Sequence, residues 1–328
     1  MIRARHVAAG FLAVVVALSS GTAGARDLGT VKVGVLEFGT VNWELDVIRH
    51  HGLDKQRNFT LEVQGFGSGE ATNVALQGEA VDTIVDDYLW VSRQRSDGQM
   101  LIFVPFSSTV GALMVSPDAD VASLADLEGK KVGVAGGPLD KSWLLLQGLA
   151  AKRHGIDLAA EVEPVYGAPP LLNEKIQDGE LDAVLNYWHF AARLDAKGYK
   201  ELVTVEETIS ELGVGSVPPQ LGYVFFESFA NENPELIAAF ADASRAAKEL
   251  LKGDAEWERI RPLTKAEDDA TFEALKRRFR EGIIERWGEP ERADAAAVYG
   301  VLAGLGGEQL VGGATELAPG TFWSDVAY

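Results

Sequence analysis

The chain has 328 residues, 47% of them apolar and 24% charged, with no cysteine and a formal charge of −19. The apolar fraction excludes disorder as the main state, and the length suits roughly two domains that each bury a core. Excess carboxylate argues against a nucleic-acid partner, whose phosphates need basic surface. The lack of cysteine removes disulfides, thiolate metal sites and cysteine nucleophiles.

Residues 1–25 read as a secretory signal peptide. Arg3 and Arg5 precede an apolar run over 7–18, and Ala23-Gly24-Ala25 offers small residues to a signal peptidase. The run is shorter than the ~20 residues of a membrane span, and no cysteine follows it for lipid attachment. Cleavage near Ala25 would deliver the product to the periplasm, and no later stretch is apolar enough to hold it in a membrane.

Short apolar runs then alternate with longer helical patterns, the signature of an α/β protein. Strands are expected over 31–36, 59–63, 81–85 and 101–104, with helical segments over 43–51 and 70–77. Residues 111–115 read as a strand leaving this unit, followed by the turn Ser116-Pro117-Asp118. A second unit supplies strands over 130–135, 162–165, 183–186 and 202–205, with a helix starting at Asp140. Pro218-Pro219 marks a crossing back into a strand over 223–226. From Pro234 onward the period is helical, over 236–251, 268–283 and 293–302. Two α/β units joined by two crossings form the plan of a hinged binding protein.

Four stretches carry a more specific resemblance. They are Val31-Lys32-Val33-Gly34, Gly78-Glu79-Ala80-Val81-Asp82, the run from Leu124 to Val134 with Gly129-Lys130-Lys131-Val132 at its centre, and Gly179-Glu180-Leu181-Asp182-Ala183. In this order they resemble the periplasmic substrate-binding proteins of ABC importers, in the branch for sulfonates, nitrate, taurine and thiamine precursors. The first Gly-x-x-Asp turn has one residue more than the family pattern. The resemblance implies a two-lobed type II fold with a helical C-terminal region. Lobe 1 would hold 26–114 plus 222–328 and lobe 2 would hold 115–221. It also implies a monomer that hands a small molecule to a membrane permease and catalyses no reaction.

In open α/β sheets the ligand sits beyond the carboxyl ends of the strands. That rule nominates Thr40, Asn42 and Trp43 after the first strand, Ser68 after the second, and Asp87 and Tyr88 after the third. In the second unit it nominates Gly137, Lys141, Trp143, Tyr187, Trp188 and Arg193. Four of the seven tryptophans, Trp43, Trp90, Trp143 and Trp188, fall at such strand ends. Rings at these places either pack helix on sheet or wall a pocket for a flat ligand. They could also cage a quaternary ammonium, with Asp86 and Asp87 helping.

The turn 136–143 resembles the family's anion-holding helix start. Asp140 there is a natural helix cap. Lys141 stands at a helix start, where its pKa should fall unless it points to solvent, and such an amine pairs with an anion or attacks a carbonyl. Arg193 is placed to hold a carboxylate or to lie exposed on its helix. Lys141 followed by Trp143 resembles the periplasmic pyrroloquinoline-quinone-binding proteins of methylotrophs. The ligand so implied is planar, carries three carboxylates and an electrophilic quinone, and is cargo rather than cofactor. The chain's acidity opposes such a trianion, which keeps a sulfonate, a thiamine-precursor-like ring or a quaternary ammonium open. No nucleophile elbow, P-loop or HExxH spacing suggests an enzyme. Histidines 6, 50, 51, 154 and 189 are scattered, and no acidic run has the spacing of a metal loop.

Overall fold

The computed structural model describes residues 26–328, so the expected signal peptide at 1–25 lies outside the described residues. In chain order the elements are β1 (Gly29–Leu36), α1 (Val41–His50), β2 (Phe59–Phe66), α2 (Gly69–Gln77), β3 (Thr83–Asp87), α3 (Tyr88–Ser96), β4 (Leu101–Ser107) and β5 (Ala112–Val115). They continue with β6 (Lys131–Ala135), α4 (Lys141–His154), α5 (Leu158–Glu161), β7 (Glu163–Gly167), α6 (Pro169–Gln177), β8 (Ala183–Asn186), α7 (Trp188–Ala196), β9 (Lys200–Thr204) and α8 (Val205–Glu211). After β10 (Leu221–Phe226) the chain is helical: α9 (Glu227–Glu232), α10 (Pro234–Leu251), α11 (Asp254–Thr264), α12 (Asp269–Glu281) and α13 (Glu289–Val311). Helix α13 is broken at Gly307, whose φ of 54° only glycine adopts without strain.

Ten strands make two five-stranded sheets with matching plans, β2-β1-β3-β10-β4 and β7-β6-β8-β5-β9. In each, two strands flank the first strand in parallel. The fourth position is antiparallel to both neighbours, and a crossing segment supplies it: β10 in the first sheet, β5 in the second. The strand expected at 111–115 therefore belongs wholly to the second sheet. Strands buried on both faces explain the near-continuous apolar runs of 101–106 and 183–186.

The two Gly-x-x-Asp turns do the same work. Asp82 Oδ2 accepts from the Lys32 N–H at 2.7 Å and Asp182 Oδ2 from the Lys131 N–H at 2.8 Å, tying each turn to the strand it is about to join. The extra residue in the first turn is explained by backbone angle. Glu79, at φ 54°, occupies the left-handed position that Gly179 holds at 73°. Gly78 is one step early, and a non-glycine residue bears the strain that costs about 1 kcal/mol.

The helical C-terminal region packs on both units. Trp257, Phe272 and Phe279 join Trp43 in one core with β1 and α10, and α13 lies against α4 and α3. Among the described residues no helix is long and apolar enough to cross a membrane.

Candidate functional site

Strand ends of both sheets converge on a cavity of about 300 Å³. Its wall takes Thr40 and Val41 from the start of α1, Asp86 and Asp87 from the end of β3, and Lys141 and Ser142 from the start of α4. Tyr187, Trp188 and His189 come from the start of α7. Thr109 and Gly111 come from the first crossing. That crossing can approach so closely only because residue 111 is glycine: a Cβ there would stand 1.9 Å from the Asn186 carbonyl oxygen.

The charged centre is built by two helix caps. Asp87 caps α3, its Oδ1 accepting the Trp90 N–H at 2.8 Å. Asp140 caps α4, its Oδ1 accepting the N–H groups of Ser142 and Trp143 at 2.9 and 3.1 Å. Gly136, at φ 97°, makes room for that cap, since a Cβ would lie 2.9 Å from Asp140 Oδ2. Between the caps, Lys141 Nζ donates to Asp87 Oδ2 at 2.9 Å and links the two sheets' strand ends. Asp86 lies alongside, accepting the Asp87 N–H at 2.7 Å.

Burial, and then the adjacent Asp87 charge, push the Asp86 carboxyl up to about 7. Burial likewise raises Asp140 against the pull of Lys141. For Lys141 burial is the largest single influence and lowers its pKa. The carboxylates of Asp87, Asp140 and Asp86 together outweigh it, so the pKa is raised. The expectation of a lowered pKa at Lys141 is thereby corrected: the helix start carries its own carboxylate, and the lysine is a paired ammonium. The anion-holding helix start is corrected for the same reason, because Asp140 already occupies the N–H groups of Ser142 and Trp143. The starts of α1 and α7 carry no side-chain cap.

Of the nominated residues, Thr40, Asp87, Lys141, Tyr187 and Trp188 lie in the cavity wall. The others are placed elsewhere. Asn42 Nδ2 donates to the carbonyls of Leu36 and Gly39 at 2.8 and 2.7 Å and locks the turn after β1. Ser68 caps α2 through the Ala71 N–H at 3.2 Å. Trp43 is buried, stacked edge-on against Trp257 and Trp188, and donates to the Leu263 carbonyl at 3.2 Å. Tyr88 is fully buried against Phe103, and Trp143 is core at 1% exposed. Gly137, at φ 129°, shapes the turn before α4 without reaching the wall.

Arg193 donates to the Thr264 carbonyl at 2.7 Å and pairs with Glu267 at 2.8 Å, so it fastens α7 to the α11–α12 connection instead of holding a ligand. Trp90 packs against the core. The aromatic wall thus reduces to Tyr187, Trp188 and Phe106.

Sequence reasoning passed over Thr72 and Thr109, which lie on a helix face and in a crossing and not directly after a parallel strand. His189, one of five scattered histidines, also falls in the strand-end stretch 186–190 that the same rule covers, and it lies in the wall. Its position two residues into a helix that follows a strand was the available signal. Among the described residues no group of histidines and carboxylates is arranged to hold a metal.

A family model described as NMT1/THI5 like matches residues 63–254. No curated protein matches the chain. Among solved structures, the alkanesulfonate-binding protein SsuA from Xanthomonas axonopodis pv. citri bound to MOPS is similar with a TM-score of 0.70 and 17% identity, over 90% of this chain and 98% of that one. The periplasmic aliphatic sulphonate binding protein SsuA from Escherichia coli matches with a TM-score of 0.70 and 16% identity, over 90% and 97%. The putative sulfonate ABC transporter periplasmic protein SsuA from Methylobacillus flagellatus KT matches with a TM-score of 0.65 and 14% identity, over 91% and 92%. At these identities the likeness establishes the periplasmic-binding-protein fold. The family match spans more than half of the chain, from β2 through the cavity-lining starts of α4 and α7 to α11, and the protein belongs to the NMT1/THI5-like family.

Proposed function

We propose that the protein is a solute-binding protein of an ABC importer, working outside the inner membrane and binding its ligand without transforming it. The two sheets and their helices act as two lobes, with the hinge in the crossings at 108–111 and 212–220. The observation that carries this reading is the Lys141–Asp87 pair, which joins strand ends of different sheets across the cavity at 2.9 Å. A ligand there touches both lobes at once, which is what converts binding into closure. The sulfonate-binding names of the similar structures and the expected signal peptide support the setting.

For the ligand we carry forward a planar, anionic ring system, with pyrroloquinoline quinone first. Lys141 stands in the wall beside the rings of Tyr187 and Trp188, and the starts of α1 and α7 offer a positive end without a side-chain cap. The volume is at the lower end of pockets that take ring-bearing ligands, where a nitrate would fill a small part. Lys141 would meet a ligand carboxylate or quinone oxygen as an ammonium, in place of Asp87. Covalent addition to the quinone would require that ammonium first to lose its proton.

A second reading has its own observation. Asp86, Asp87 and Asp140 set three carboxyls against one lysine, which favours a solute with a cationic group, such as an aminosulfonate, a protonated aminopyrimidine or a quaternary ammonium. Tryptophan-fluorescence titration against pyrroloquinoline quinone, taurine, an aminopyrimidine and choline tests both. Saturation by pyrroloquinoline quinone is expected, and saturation by taurine alone would refute the planar-ligand reading. Turnover of any bound ligand by the purified protein would overturn the binding-protein reading.

A further inference from the structure

The cavity wall holds more carboxyls than it can keep ionised. Asp86, Asp87 and Asp140 share it with a single ammonium, that of Lys141. Lys141 is committed to Asp87 at 2.9 Å, and Asp140 is held by the N–H groups of Ser142 and Trp143. Asp86 is left with the Asp87 N–H at 2.7 Å and, among the described residues, has no ion pair of its own. Of two neighbouring carboxylates beside one cation, the one without the direct partner is the one that keeps a proton. Its other neighbours do not relieve it. The Asn73 amide of α2 is neutral, and Gly222 of β10, paired with Asp86 in the sheet, has no side chain. Burial holds the phenols of Tyr88 and Tyr187 protonated and His189 uncharged. Burial, and then the Asp87 charge, accordingly push the Asp86 carboxyl up to about 7.

We propose that Asp86 is the charge-selecting residue of the cavity, admitting an anionic group beside Lys141 when it is protonated and repelling that group when it is ionised. An anion that takes Lys141 from Asp87 leaves Asp87 without its partner and adds a negative charge to the wall. A proton taken from the buffer by Asp86, whose side chain is only half-buried, offsets that charge. A permanent cation has the opposite effect, because the wall meets it best with Asp86 ionised and its proton returned to the buffer. The carboxyl thus answers the objection that the chain's acidity raises against an anionic solute, since the wall becomes less negative as the anion enters.

This assignment rests on the cavity being the solute site, and the test separates the two. Affinity is read by tryptophan fluorescence from about pH 6 to pH 8.5 with two probes of fixed charge. Pyrroloquinoline quinone keeps its carboxylates ionised over that range, and choline is a permanent cation. Affinity for the quinone is expected to fall about tenfold or more as pH rises, and any affinity for choline to rise about tenfold. Calorimetry near pH 7 in two buffers of different ionisation heat is expected to count about half a proton taken up per quinone bound, or about half released per choline. Asp86→Asn, which imitates the protonated carboxyl, is expected to bind the quinone with about the same affinity at both ends of the range.

A saturating probe whose affinity is flat across the range, with no proton exchanged, overturns the assignment and leaves the site standing. An unchanged pH slope in Asp86→Asn does the same, because the proton then belongs to another group. Saturation by neither charged probe also overturns it, and no response to these two, to taurine or to the aminopyrimidine removes the site as well. The slope and the proton count are read on the unaltered chain, and Asp86→Ser, also neutral, must flatten the slope if the asparagine variant does not fold.

Discussion

Two lysine–carboxylate pairs, one over the Phe106 ring and one in the cavity wall, have opposite fates. In the core, Lys248 pairs with Glu44 at 2.7 Å with side-chain exposures of 7% and 0%. Glu44 also accepts from the Tyr223 hydroxyl at 2.8 Å, and Lys248 donates to Ser244 and stands 4.6 Å above Phe106. On the cavity side, Lys141 pairs with Asp87 at 2.9 Å with exposures of 17% and 21%. Burial wins at Lys248, whose pKa is lowered, because one carboxylate stands against full desolvation. At Lys141 three carboxylates reverse the sign. The lesson is that the number of facing charges and their access to the cavity, not the pair itself, separate a structural clamp from a site that can exchange partners.

The largest expected effect comes from breaking the sealed pair. Glu44→Gln should destabilise the fold by about 3–5 kcal/mol, measured by urea unfolding, because Lys248 is left charged and dry. Ligand affinity of the remaining folded protein should be within a few-fold of the original. Next comes Lys141→Ala, for which a loss of about 10–100-fold in ligand affinity is expected by calorimetric titration, the worth of one charge-assisted contact. Unchanged affinity together with an unchanged absorption spectrum of bound pyrroloquinoline quinone would remove Lys141 from the site.

Asp86→Asn sharpens the comparison through pH. The carboxyl holds its proton up to about 7 in the fold and loses it near 4 when unfolded. Between those values the folded state binds more protons than the unfolded one, so stability falls as pH rises from 4 to 7 and levels above it. The asparagine variant should lack this fall, gaining on the order of 4 kcal/mol relative to the original chain between pH 4 and pH 8. A fall of the same size in both chains, measured by thermal unfolding across pH, would assign it to other groups. The smallest effect is expected for Arg193→Ala. Its contacts with Thr264 and Glu267 are partly exposed, so about 1 kcal/mol or less should be lost, with ligand affinity unchanged.

Much of this architecture was legible in the chain. Alternating apolar runs located all ten strands within a few residues, since a strand buried on both faces must be apolar throughout. Helix α10 showed its stripe, and Asp140 showed its cap. No helix is expected over α3, whose first residues, Tyr88-Leu89-Trp90, show no helical period, and in α7 only the stretch around Arg193 reads as helical. The strand-end rule brought Thr40, Asp87, Lys141, Tyr187 and Trp188 to one wall. It failed for Trp43, Tyr88 and Trp143, which share the same chain positions but point into the cores.

The sequence by itself determined the fold class, the places of the strands along the chain and the Asp140 cap, because periodicity and capping act over a few residues. Tertiary structure alone decided which rings face the cavity, which lysine is sealed and which is available, and in which direction Lys141 titrates. Those properties depend on burial and on charges brought from distant parts of the chain, Asp87 and Lys141 being 54 positions apart. No local pattern records which of several equivalent side chains the packing will turn inward.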